Sequence, residues 1–99
     1  MKLIIKPLEN FKKEAKKLAK KYKEISNDLK KLQEELLNNP KAGIDLGSNC
    51  YKIKIRGFRV IYYYIDQKGI IYLMCIYSKS DLENIEDNKI LQLIEDNNL

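Results

Sequence analysis

From Cys50 to Tyr77 the chain is dense in β-branched and aromatic residues, with breaks at Arg56-Gly57 and at Asp66-Gln67-Lys68-Gly69. That pattern predicts three antiparallel strands, over residues 50–56, 58–65 and 70–77, joined by tight turns. The first alternates, with Tyr51, Ile53 and Ile55 on one face and Lys52, Lys54 and Arg56 on the other. A two-residue turn at Arg56-Gly57 sets Ile55 against Phe58, Ile53 against Val60 and Tyr51 against Tyr62. It also sets Lys54 against Arg59 on the opposite side. The apolar face can bury, so the register is pinned; a slip of one residue would swap the faces.

Upstream the period lengthens. Residues 2–6 predict a short edge strand ended by Pro7, which cannot donate to a ladder. Phe11, Ala15, Leu18, Ala19 and Tyr22 form one helical stripe, and lysines fill the rest of that helix. A second helix follows with Ser26 as its N-cap and Leu29, Leu32 and Leu36 as its apolar positions. Asn38-Asn39-Pro40 stops it. The two should form a hairpin, from about Leu8 to Asn39, lying on the apolar face of the sheet. Lys41 to Asn49, with Gly43 and Gly47, reads as a loop. Ser80-Asp81-Leu82-Glu83 has the spacing of a capping box. Beyond it Ile85, Ile90, Leu91, Leu93 and Ile94 predict a short last helix, best from Asn88. That helix should cover part of the second face, where Ile61, Tyr63, Met74 and Ile76 need it if the second turn keeps an even register. The same parity would turn Tyr77 into the core. The fold class is therefore α+β: an N-terminal helical hairpin on a small antiparallel sheet, with a short C-terminal helix, as one domain over residues 1–99.

Composition narrows the chemistry. Histidine is absent, which excludes imidazole zinc sites, Ser-His-Asp triads and histidine bases. Cys50 and Cys75 lack metal-type spacing and read as reduced residues packed in or beside the sheet. No apolar run is long enough to span a bilayer and the start is too short for a signal peptide, so no membrane and a cytoplasmic location are expected. Charge is uneven: residues 1–79 hold 18 Lys and Arg against 8 Asp and Glu, whereas residues 80–99 hold Lys89 against six acids. A basic body suits a polyanion or an acidic partner, although helix lysines are usually only solvated.

Like charges across a ladder are destabilising. Lys52, Lys54, Arg56 and Arg59 on one face therefore read either as an anion site or as a solvated face that protects the sheet from edge pairing. RNA is an anion on which such a cluster could do chemistry. Its 2′-hydroxyl attacks the neighbouring phosphate once deprotonated, so a protein need supply only a base, charge for the crowded phosphate and a proton for the leaving oxygen. No metal or other cofactor is required. Without histidine, lysine is the available base, because neighbouring cations lower a lysine pKa. Arg59 is the natural phosphate clamp, since guanidinium stays charged and binds two oxygens.

Three segments carry a resemblance: Tyr-Lys-Ile-Lys-Ile at 51–55, Arg-Val-Ile-Tyr-Tyr at 59–63, and Ile-Tyr-Ser-Lys-Ser-Asp-Leu-Glu-Asn-Ile at 76–85. With Phe11-Lys12-Lys13, with Leu18 to Tyr22 and with Leu36 to Asp45, they resemble the RelE/ParE superfamily of bacterial toxins. The likeness is nearest to its RelE- and HigB-like ribonucleases and covers nearly the whole chain. It implies a ribosome-dependent endoribonuclease that cuts mRNA in the ribosomal A site, in contact with ribosomal RNA, leaving a cyclic phosphate and a 5′-hydroxyl. It also implies a cognate antitoxin that silences the enzyme. Lys52, Lys54 and Arg59 match the branch's catalytic positions; Arg56, Tyr77 and Lys79 are candidates for RNA binding. The chain departs from that branch where an arginine and a later tyrosine are expected, having Ser80 and Glu86; Tyr77 and Lys79 are the nearest substitutes, and the proton donor is unassigned. The link Arg56-Gly57-Phe58 is also shorter than the basic, Gly-rich loop of many relatives. The ParE branch, which poisons DNA gyrase, and a degenerate antitoxin-binding module are the alternative functions.

Overall fold

Cys50–Ile55 and Phe58–Ile65 pair in the register expected from the alternation, with Ile53 opposite Val60 and Lys54 opposite Arg59 in the computed structural model. The structure describes residues 2–80, 82 and 85–99. Its elements in chain order are β1 (Ile4–Pro7), α1 (Glu9–Lys21), α2 (Ile25–Asn38), β2 (Ile44–Gly47), β3 (Cys50–Ile55), β4 (Phe58–Ile65), β5 (Ile70–Ser78) and α3 (Asp87–Asp96). The five strands form one sheet in the order β1-β5-β4-β3-β2. Strands β2 to β5 are antiparallel neighbours, while β1 joins β5 in parallel at the far edge.

The two sheet faces carry separate cores. Helices α1 and α2 bury Phe11, Ile25, Leu32 and Leu36 against Ile53, Phe58, Val60, Tyr62, Ile71, Leu73 and Ile76. Each such side chain contributes about 1.5–3 kcal/mol by leaving water. The other face holds a smaller cluster of Cys50, Ile61, Met74, Cys75 and Tyr77, covered by Ile90 and Leu93 of α3. The last helix thus sits where the pattern placed it.

Several expectations change. Residues 44–47 are a strand rather than a loop: β2 pairs with β3, Ile44 opposite Lys52 and Asp45 opposite Tyr51. All four of its residues are exposed, so no buried face marks it in the sequence; only the backbone ladder makes it a strand. Ser26 is not the N-cap of α2. The helix begins at Ile25, after Glu24, without a side-chain cap, because Ile25 is drawn into the core at the helix entry. Ile76 belongs to the first core, not the second face. A β-bulge between Ile61 and Tyr62 on β4 and Cys75 and Leu73 on β5 inserts Met74 as an extra residue and shifts every later β5 side chain to the other face. Two of the four capping-box residues, Asp81 and Glu83, lie outside the described residues.

Candidate functional site

Strands β3, β4 and β5 line up one row of side chains on the second face: Lys54 opposite Arg59, and Arg59 opposite Tyr77. Lys52 stands two residues along β3 on the same face, opposite Ile61. Lys54 is exposed; Lys52 and Arg59 are half-buried. The Arg59 guanidinium lies back along the β3–β4 turn, its Nη1 donating to the carbonyls of Phe58 (3.0 Å) and Arg56 (3.4 Å). Arg59 thus stands between Lys54 and Tyr77 in the row, while its charge is held toward the β3–β4 turn.

Tyr77 is turned to this face, and the α3 side covers it. It is 8% exposed, and its hydroxyl is buried with no hydrogen bond of ordinary geometry. Burial pushes the phenol above its usual pKa and the nearby Cys75 adds to that; the Ile85 backbone and the Arg59 charge pull the other way. The phenol therefore keeps its proton. Tyr77 lines a cavity of about 210 Å³ with Lys52, Leu46, Ile85, Asp87 and Ile90.

The bulge is what brings Tyr77 here, and two α1 side chains hydrogen-bond to the backbone around it. Asn10 Nδ2 donates to the Met74 carbonyl (3.0 Å) and to Glu14 Oε1 (2.9 Å), and the Ile76 N–H donates to the same Glu14 oxygen (3.2 Å). An unpaired buried amide would cost about 1–3 kcal/mol. The only trace of this pair in the sequence is a polar residue four before a carboxylate beside the apolar stripe.

Arg56 does not join the lysine face. It occupies the turn in the left-handed region (φ 49°), and its Nε reaches Asp28 of α2 at 3.3 Å. That carboxylate is buried, and sequence reasoning left it unassigned. Lys79 is likewise apart: with Arg56, Tyr22, Ile25, Phe58 and Ser80 it lines a cavity of about 810 Å³ at the α1–α2 connection, where the helical hairpin closes. The hydroxyls of Ser78 and Ser80 there hold the Tyr22 phenol below its usual pKa. The expected cluster is thus split between two sides of one turn.

Both cysteines are free and buried. Burial is the main cause that raises the Cys50 thiol to about 11 and the Cys75 thiol to about 12, so neither is a ready nucleophile. No group of three or more His, Cys, Asp or Glu residues placed to hold a metal occurs among the described residues. No helix among them is long and apolar enough to cross a membrane.

The described residues thus set a helical hairpin on one face of a five-stranded sheet, and cations and a short helix on the other. The family model described as the ParE toxin of the type II toxin-antitoxin system, parDE, matches residues 5–83. A double-arginine mutant of the E. coli toxin RelE in the free state superposes with a TM-score of 0.67 at 30% identity, covering 84% of this chain and 90% of that one. The intact E. coli RelBE toxin-antitoxin complex gives 0.64 at 30% identity over 79% of this chain and 96% of that one. The RelBE2 toxin-antitoxin complex from Mycobacterium tuberculosis shares the fold, with a TM-score of 0.67 at 11% identity over 79% and 99% of the two chains. The chain belongs to the RelE/ParE superfamily and is a toxin of a type II toxin-antitoxin system.

Proposed function

We propose that this toxin is a metal-independent endoribonuclease acting in the cytoplasm on mRNA in the ribosomal A site, and that a cognate antitoxin silences it. The observation that carries the reading is the row Lys54, Arg59, Tyr77 with Lys52 beside it, two lysines, a guanidinium and a protonated phenol on one sheet face. A lysine amine, Lys52 or Lys54, takes the proton of a ribose 2′-hydroxyl. The oxygen attacks the adjacent phosphorus and forms a 2′,3′-cyclic phosphate. Arg59 carries the charge that builds on the non-bridging oxygens. The bond to the 5′-oxygen breaks, and Tyr77 supplies the proton that leaves a 5′-hydroxyl. Because α3 covers Tyr77, the substrate must enter beside or beneath that helix. Relatives of known structure occur bound to antitoxins, and the same acid-poor, basic body suits an antitoxin segment of opposite charge.

Induced expression with primer extension on a reporter mRNA, with and without translation, tests this. Arg59→Ala should lower cleavage by about 100-fold or more, the scale of one preorganised electrostatic donor. Lys54→Ala should lose activity and keep the fold. Lys12→Ala, an exposed helix lysine paired with Glu9, is the control and should change little. Equal cleavage by wild type and Arg59→Ala would sink the mechanism. The match to a family model named for ParE supports a second reading, a gyrase poison. Growth arrest with intact mRNA and broken or supercoiling-defective DNA would select it.

A further inference from the structure

We infer that Asn10 and Glu14 are positioning residues for the cation face: they hold the β5 bulge that sets Tyr77, rather than Ile76, beside Arg59. The consequence for the site rests on the nuclease reading; the geometry does not. Strand β5 leaves its turn with Ile70 opposite Ile65 and keeps step to Leu73 opposite Tyr62. Continued without the extra Met74, that count would set Ile76 opposite Arg59 and Tyr77 opposite Phe58, inside the first core. The observed partners are Tyr77 for Arg59 and Ser78 for Phe58.

The bulge sits where β5 loses its outer neighbour. Strand β1 pairs only as far as Pro7 opposite Leu73, with the Leu8 N–H closing on the Leu73 carbonyl at 2.9 Å. Beyond that point α1 runs beside the strand and its side chains take the place of a ladder. Four helical residues rise about 6 Å, close to the roughly 6.6 Å spanned by two strand residues. Asn10 and Glu14 therefore meet Met74 and Ile76 in step, and the Asn10 bond to Glu14 ties the two together. Both partners are needed: Asn10 satisfies a carbonyl and Glu14 an amide.

The test reads Tyr77 directly. In protein with labelled tyrosine and isoleucine methyls, the wild-type Tyr77 ring should show contacts to Ile90 across the shared cavity. Asn10→Ala and Glu14→Ala should weaken or abolish them, and should lower mRNA cleavage by about 10-fold or more, the scale of a misplaced catalytic group. Glu14→Gln keeps the acceptor oxygen and should keep both readings near wild type. In a Tyr77→Phe background Glu14→Ala should add little further loss, because the carboxylate acts through the phenol; a purely structural role would add its full cost. Unchanged ring contacts in both alanine variants would overturn the inference, as would full additivity with Tyr77→Phe. If the wild type cuts no mRNA, the nuclease reading falls and the ring contacts alone decide the positioning. If Glu14→Ala does not fold, Asn10→Ala decides, since it leaves the Glu14 bond to Ile76 in place.

Discussion

Arg56 shows how one residue can answer to two demands. Its backbone sits at a positive φ that glycine would take more cheaply, while its side chain neutralises a buried carboxylate. The arginine is 64% exposed and Asp28 only 6%, so the pair gains little from attraction; what counts is the charge left behind when it is cut. Arg56→Ala should therefore destabilise the protein by about 1–3 kcal/mol in chemical denaturation. Adding Asp28→Asn should recover part of that loss, because the unpaired charge goes with it. A loss that is the same with and without Asp28→Asn would show that the turn, not the pair, sets the cost. Gly43 makes a similar point about space. A Cβ there would stand 2.8 Å from the Lys52 carbonyl, and its N–H donates to the Tyr62 hydroxyl at 3.1 Å, which in turn donates to the Pro40 carbonyl at 2.9 Å. The segment leading into β2 is thus pinned against the strand that carries Lys52.

At the scale of elements, the junction of α1 and β5 is the part with a pH signature. Half-burial raises the Glu14 carboxyl above its ordinary 4.5; the Ile76 amide, Lys89, Asn10 and Lys17 oppose this without cancelling it. The folded state then binds the proton more tightly than the unfolded chain does. Ionised Glu14 costs stability at neutral pH, and that cost is relieved as pH falls through the raised folded value toward 4.5. Glu14→Gln should be at least as stable as wild type at neutral pH, and the gap in Tm should close as the pH is lowered. A gap that widens on acidification would mean that the carboxylate bonds outweigh its burial. The acidic helix α3 and the basic strands face one another across the second core, so the last helix both covers apolar residues and stands beside the cations.

For the whole molecule, the charge is segregated: a basic body with an acidic C-terminal segment. If single-stranded RNA binds the cation face, log K should fall linearly with log salt, by about 0.7 for each phosphate contacted. Lys54→Glu should flatten that slope by about one contact, while Lys12→Glu should leave it nearly unchanged. Equal slopes for the two variants, measured by fluorescence anisotropy, would place the RNA elsewhere on the surface.

The sequence by itself determined the β3–β4 register, because strict alternation across a two-residue turn leaves one register that turns Tyr51, Ile53 and Ile55 toward the first core. It also determined the helical hairpin and its face, since the apolar stripe of each helix has only one surface to cover. The placement of Lys52, Lys54 and Arg59 followed from those two facts. Tertiary structure decided the rest. Strand β2 exists through backbone pairing with β3; its alternation of Ile44, Asp45 and Leu46 is too short to mark a strand, and neither apolar residue is buried. Arg56 left the lysine face because Asp28, twenty-eight residues upstream, needed a cation at the end of the hairpin. Ile76 and Tyr77 took their sides of the sheet from one extra residue, whose place depends on two polar side chains of α1. A count along the chain cannot show such an insertion, because a bulge adds no distinctive residue; it is stable only where a neighbour supplies the missing hydrogen bonds.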